Sequence, residues 1–111
     1  MDEARAKELL TGERARVEGL LRDSEGAAAA DREAVDDAIG QDDPAESLTA
    51  QAGEDAVIAS LRERLAAIDR AEQRLADGTY GRSVRSGRPI SDERLEADPA
   101  AEVTVEEATE A

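Results

Sequence analysis

Any chemistry in this chain has to come from carboxylates and hydroxyls. Its 111 residues include 28 Asp and Glu against 14 Lys and Arg, with no Cys and no His. Without a thiol or an imidazole, the usual nucleophile and base pairings and nearly all zinc sites lose their donors, and disulfides are excluded. The most concentrated carboxylates lie in Asp42-Asp43-Pro44-Ala45-Glu46. Two of them have a structural use. Asp43 suits a helix N-cap, Pro44 suits the first helical position, where its missing N–H costs nothing, and Glu46 falls at the third position, as in a capping box. Asp42 has no capping duty and is the cleaner candidate for an exposed contact. Leu48 is the one large apolar side chain in the turns that follow, up to Asp55. Carboxylates along a helix are usually a solvated face, and no pocket-forming sequence accompanies these. A binding protein is therefore expected, not an enzyme, with no cofactor.

The elements that would position these residues are helical. From Asp2 to about Ala38 there is no Pro, and Ala, Glu, Arg and Leu dominate. Leu10, Val17, Leu21, Ala28, Val35 and Ala38 recur at steps of three, four or seven and fall along one seam. Gly40 can end this helix and Pro44 can begin a second, which runs to about Asp77 with Gly78 as its stop. The second seam is Ile58, Leu61, Leu65, Ile68 and Leu75. Equal lengths and a short turn predict a long antiparallel coiled-coil hairpin over residues 1–77, tip at about 39–46, each arm on the order of 50 Å. Its tip is expected to pack more loosely than its base. Residues 78–111 change texture: Gly and Pro punctuate short apolar positions, as in a tight knuckle. Ser91 can cap a short helix, and Val103 and Val105 alternate as in a strand before an acidic tail.

Charge narrows the partners. The formal net charge is −14, and the acids read as spread along the chain with no basic patch. Phosphate backbones require cationic neutralisation, so direct nucleic-acid binding is not expected, whereas a basic protein surface would attract this chain. Solubility alone is an equally sufficient explanation of the net value. The amino terminus has no apolar run long enough for a signal or a membrane segment, so a cytoplasmic monomer is the expectation.

The stretch from Gly78 to Glu107 is the most specific. Gly78, Tyr80, Gly81, Gly87, Ile90, Arg94, Leu95, Ala97, Pro99 and Ala101 fit, in residue type and spacing, the C-terminal pattern of the DksA/TraR zinc-finger family. The chain resembles that family over about thirty residues, and a preceding helical hairpin is also its architecture. The departure is at the metal. Where the family has four cysteines in two CxxC pairs, this sequence has Ser83, Ser86, Thr104 and Glu107. Hydroxyls are poor zinc ligands, so the resemblance implies a degenerate, metal-free version of the module. Packing of Tyr80, Val84, Ile90, Leu95, Val103 and Val105, with hydroxyl hydrogen bonds, would have to offset the lost metal. By resemblance, the partner is RNA polymerase, entered through its secondary channel with the hairpin tip toward the catalytic centre. The family's acidic tip pattern falls on Asp43, Glu46 and Leu48, with Glu in place of Asp and Leu in place of Ala. The competing expectation is a coiled-coil adaptor that binds another basic protein.

Overall fold

The computed structural model describes residues 1–37 and 44–110, with side chains described for 1–30 and 52–110. The protein is mainly helical, as expected: α1 spans Glu3–Asp37, α2 Pro44–Asp77, α3 Asp92–Ala97 and α4 Val105–Thr109. Among the described residues there is no strand, only an isolated antiparallel bridge between Arg82 and Pro89. Helix α2 opens on Pro44, the residue whose fixed φ suits a first helical position. It closes at Gly78. There φ is +81°, and the backbone N–H groups of Thr79 and Tyr80 both donate to the Arg74 carbonyl, at 2.9 and 3.2 Å. A side chain at a left-handed C-terminal position is strained, which is why glycine serves there.

Two compact units are distinguished, Met1–Arg16 with Leu65–Ala111, and Val17–Arg64. In the first, α1 and α2 run antiparallel. The Arg14 guanidinium pairs with Asp69 and, through Nε at 3.0 Å, with Glu72, while Lys7, Leu10 and Thr11 face Glu72, Leu75 and Ala76. Ala6, Leu10, Ile68 and Ala71 are fully buried. The two alanines were not on either expected seam. Small side chains let helices approach closely, so a stripe search for large apolar residues passes over them. In the second unit Val17, Ala28 and Ile58 are buried, and Arg62 reaches Glu25 at 3.1 Å. Leu21, Leu61, Leu65 and Leu75 are half-buried, so the expected seam closes only in part. Val35 and Ala38 lie outside the described side chains.

Residues 78–110 belong to the first unit and have a small core of their own. Ile90, Leu95 and Ala101 are buried together, and Tyr80 packs on them while donating its hydroxyl hydrogen to the Pro99 carbonyl at 2.7 Å. A buried Tyr needs such an acceptor. Ser91 caps α3, its hydroxyl accepting from the Arg94 N–H at 3.2 Å. Ion pairs tie this segment to the long helices: Arg5 to Glu96 at 2.6 Å, Arg70 to Glu102 at 2.7 Å and Arg74 to the same carboxylate at 3.7 Å. The strand expected at Val103 and Val105 is instead the start of α4. Thr104 and Glu107 form a capping box there, and satisfying two orphan N–H groups favours helix over an unpaired strand. Val84 and Val105, expected in the core, are 56% and 49% exposed.

Candidate functional site

Ser83, Ser86, Thr104 and Glu107 come from two segments and meet at one carboxylate. The first segment turns tightly: the Gly87 N–H donates to the Ser83 carbonyl at 2.9 Å, and Gly87 has φ +73°. That turn points both serine hydroxyls the same way. The second segment presents Glu107 from the first turn of α4. Ser83 Oγ donates to Glu107 Oε2 at 2.9 Å and Ser86 Oγ donates to Oε1 at 3.2 Å. The Thr104 backbone N–H also donates to Oε1, at 3.2 Å, and Thr104 Oγ1 accepts from the Glu107 N–H at the same distance. Ser83 Oγ in turn accepts from the N–H groups of Arg85 and Ser86, at 3.1 and 3.3 Å. Ser83, Thr104 and Glu107 are all buried. The Glu107 carboxyl is held below the ordinary carboxylate range, first by the Ser83 hydroxyl, against the cost of burial, and further by Thr104 and Ser86.

This arrangement fits an internal crosslink. It does not fit a structural zinc, because three of the four donors are neutral hydroxyls and the one carboxylate already takes three hydrogen bonds. Among the described residues no group of three or more His, Cys, Asp or Glu is placed to hold a metal ion. The geometry is also poor for activating Ser83 as a nucleophile. A carboxylate whose proton affinity is lowered is a weak base, and among the described residues nothing else accepts the Ser83 proton.

The acidic tip residues are described less fully. Asp42 and Asp43 lie outside the described residues, and Glu46 and Leu48 fall within α2 with side chains outside them.

Compared with solved structures, the chain is similar to the transcription factor DksA2 from Pseudomonas aeruginosa, with a TM-score of 0.54 over 97% of this chain and 87% of that one. The chain has a DksA-like fold. Sequence identity in that comparison is 21%, so the likeness is one of fold. Over 45 residues, 40% of the chain, it is 51% identical to General stress protein 16O of Bacillus subtilis strain 168, and that match spans 28% of the relative's length. No protein-family model matches the chain. No helix among the described residues is long and apolar enough to cross a membrane.

One expectation from charge fails locally. From Gly78 to Ser91 there is no acid at all, and Arg82, Arg85 and Arg88 fall within it, all exposed. The net value of −14 hid this, because it averages over a chain whose acids stop at Asp77 and resume at Asp92. Counting charge in a short window, not over the whole chain, would have found it.

Proposed function

We propose that this protein is a non-enzymatic regulator of transcription. It binds RNA polymerase directly through the secondary channel, with the acidic tip around Asp42, Asp43, Glu46 and Leu48 near the catalytic centre. The observation that carries the reading is the fold likeness to a transcription factor across nearly the full chain. The acidic balance supports it, since opposite potentials steer a protein of this charge toward a basic channel without contact to nucleic acid. In this reading the chain is cytoplasmic and monomeric, and its C-terminal module works without a metal, held by the Glu107 network. The test is to measure binding of the purified chain to core RNA polymerase and its effect on transcription in vitro, with the same preparations. Binding together with a change in transcript yield is the expected result. If the wild-type chain does not bind polymerase, the adaptor reading replaces this one. That second reading draws on Leu48, which departs from the tip pattern in size and shape.

A further inference from the structure

The acid-free knuckle at residues 78–91 is a surface of opposite sign on an acidic protein. Six arginines elsewhere, Arg5, Arg14, Arg16, Arg62, Arg70 and Arg74, meet carboxylates. None of the three knuckle arginines does, among the described residues. Arg82 Nη1 donates to the Gly87 carbonyl at 3.2 Å and Arg85 Nη1 to the Glu107 carbonyl at 3.3 Å. Each bond uses one of five guanidinium N–H groups and leaves the charge uncompensated. The Arg88 guanidinium makes no bond to the described residues. The backbone holds Arg82 and Arg88 on the two facing limbs of one turn, with Arg82 bridged to Pro89 and the Ser83 N–H donating to the Arg88 carbonyl at 2.8 Å. Between them in sequence stands Val84, 56% exposed, anchored by its N–H to the Glu102 carbonyl at 2.8 Å. The Glu107 network fixes the turn from below, through Ser83 and Ser86.

A fixed turn with three uncompensated guanidinium groups and an exposed branched apolar side chain is built to hold an anion carrier with some apolar character. We propose that the knuckle docks an acidic segment of a partner protein, with Arg82, Arg85 and Arg88 taking its carboxylates and Val84 an apolar side chain. Guanidinium groups match carboxylates in a fork geometry, and Arg is enriched at protein interfaces. Nucleic acid fits less well. The only aromatic residue, Tyr80, is occupied in the module core, so no exposed ring offers bases a stacking platform. The inference does not depend on which protein carries the acidic segment, and so goes beyond the polymerase reading.

The test uses the full chain and a fluorescein-labelled peptide of Glu and Leu residues, read by anisotropy at low salt, with duplex DNA of similar charge as the comparison probe. An acidic chain should repel an acidic peptide, so saturable binding would report the knuckle. Expected are binding by the wild type, backbone amide shifts confined to residues 82–91, and a loss of about tenfold when Arg82, Arg85 and Arg88 are all changed to Gln. Arg88→Gln alone breaks no internal bond. It should weaken binding about threefold, with the Tyr80 fluorescence unchanged, so a folding defect in the triple variant would not leave the question open. No binding by the wild type, binding undiminished in Arg88→Gln, or tighter binding of the DNA would each overturn the proposal.

Discussion

Three donors on the Glu107 carboxylate give the module a pH dependence with a definite sign. The folded carboxyl lies below its ordinary value, so the charged form stabilises the fold fully above about pH 5, and that stabilisation fades as pH falls through the lowered value. Acidification also relieves repulsion among the other acids, which works in the opposite direction. Glu107→Gln separates the two, because it removes this titration and leaves the rest. Tyr80 is the only aromatic residue and sits in the module core, so its fluorescence follows this part of the chain alone. The wild type should show a higher midpoint of thermal unfolding than Glu107→Gln at pH 7, and the gap should narrow toward pH 3. A constant gap would mean the carboxylate charge is not what the hydroxyls hold. Ser83→Ala tests the other end of the same bond. It removes one donor and one acceptor from a buried site and should cost about 1 to 2 kcal/mol in urea unfolding followed by the same signal. The donor set also leads to a metal prediction: wild-type protein should carry no stoichiometric zinc by elemental analysis and should keep its Tyr80 signal in a strong chelator. Replacing Ser83, Ser86, Thr104 and Glu107 together by Cys should bring in about one zinc per chain. One zinc per wild-type chain, with unfolding on chelation, would refute the crosslink account.

At the scale of elements, helix packing ranks the leucines differently from their spacing. Leu10 is fully buried while Leu65 is half-buried, although both occupy seam positions. Leu10→Ala should therefore cost about 2 to 4 kcal/mol and Leu65→Ala about 1 kcal/mol, measured by urea unfolding followed by helical circular dichroism. Equal costs would show that burial in the two positions is the same. The long helices were legible in the sequence because their signals are local: Pro44 for a start, Gly78 for a stop, and apolar residues at helical steps between them. The partners of each helix face were less so. Ala6 and Ala71 are buried by close approach of another helix, which no property of an alanine in sequence announces. Val103 and Val105 misled for a similar reason, since two alternating valines suggest a strand only if a neighbouring strand exists to pair with. Thr104 and Glu107 hold the competing signal, a capping box, in the same residues that stand at the family's ligand positions. At the candidate site the four positions were identified from the family pattern, and their convergence was implied by it. What could not be read was that Glu107 gathers the other three, because that depends on the turn at Gly87 and the cap at Thr104 facing each other.

For the whole molecule, charge is the property most open to test. A net charge of −14 creates a field that acts beyond contact distance and weakens steeply with salt, since the screening length falls from about 10 Å at 0.1 M to about 3 Å at 1 M. If polymerase is the partner, its affinity for this chain should drop as salt rises, and most of the drop should lie in the association rate, because long-range attraction speeds encounter more than it holds the complex. Contacts made after docking should behave differently. Asp42 has no capping duty in the sequence, so Asp42→Asn should leave α2 intact and remove about one of the net negative charges, too little to change steering much. Its effect is expected on transcript yield in vitro and only slightly on polymerase affinity. Asp43→Ala is a poorer probe, since the sequence also suits Asp43 to an N-cap, and loss of such a cap costs about 0.5 to 2 kcal/mol of helix stability and would mix folding with function. The informative comparison is Asp42→Asn against wild type in stopped-flow binding at two salt concentrations and in transcription with the same polymerase. Equal loss in affinity and output would place Asp42 among the docking contacts, and a salt-independent association rate would remove electrostatic steering from the account of how this acidic chain finds its partner.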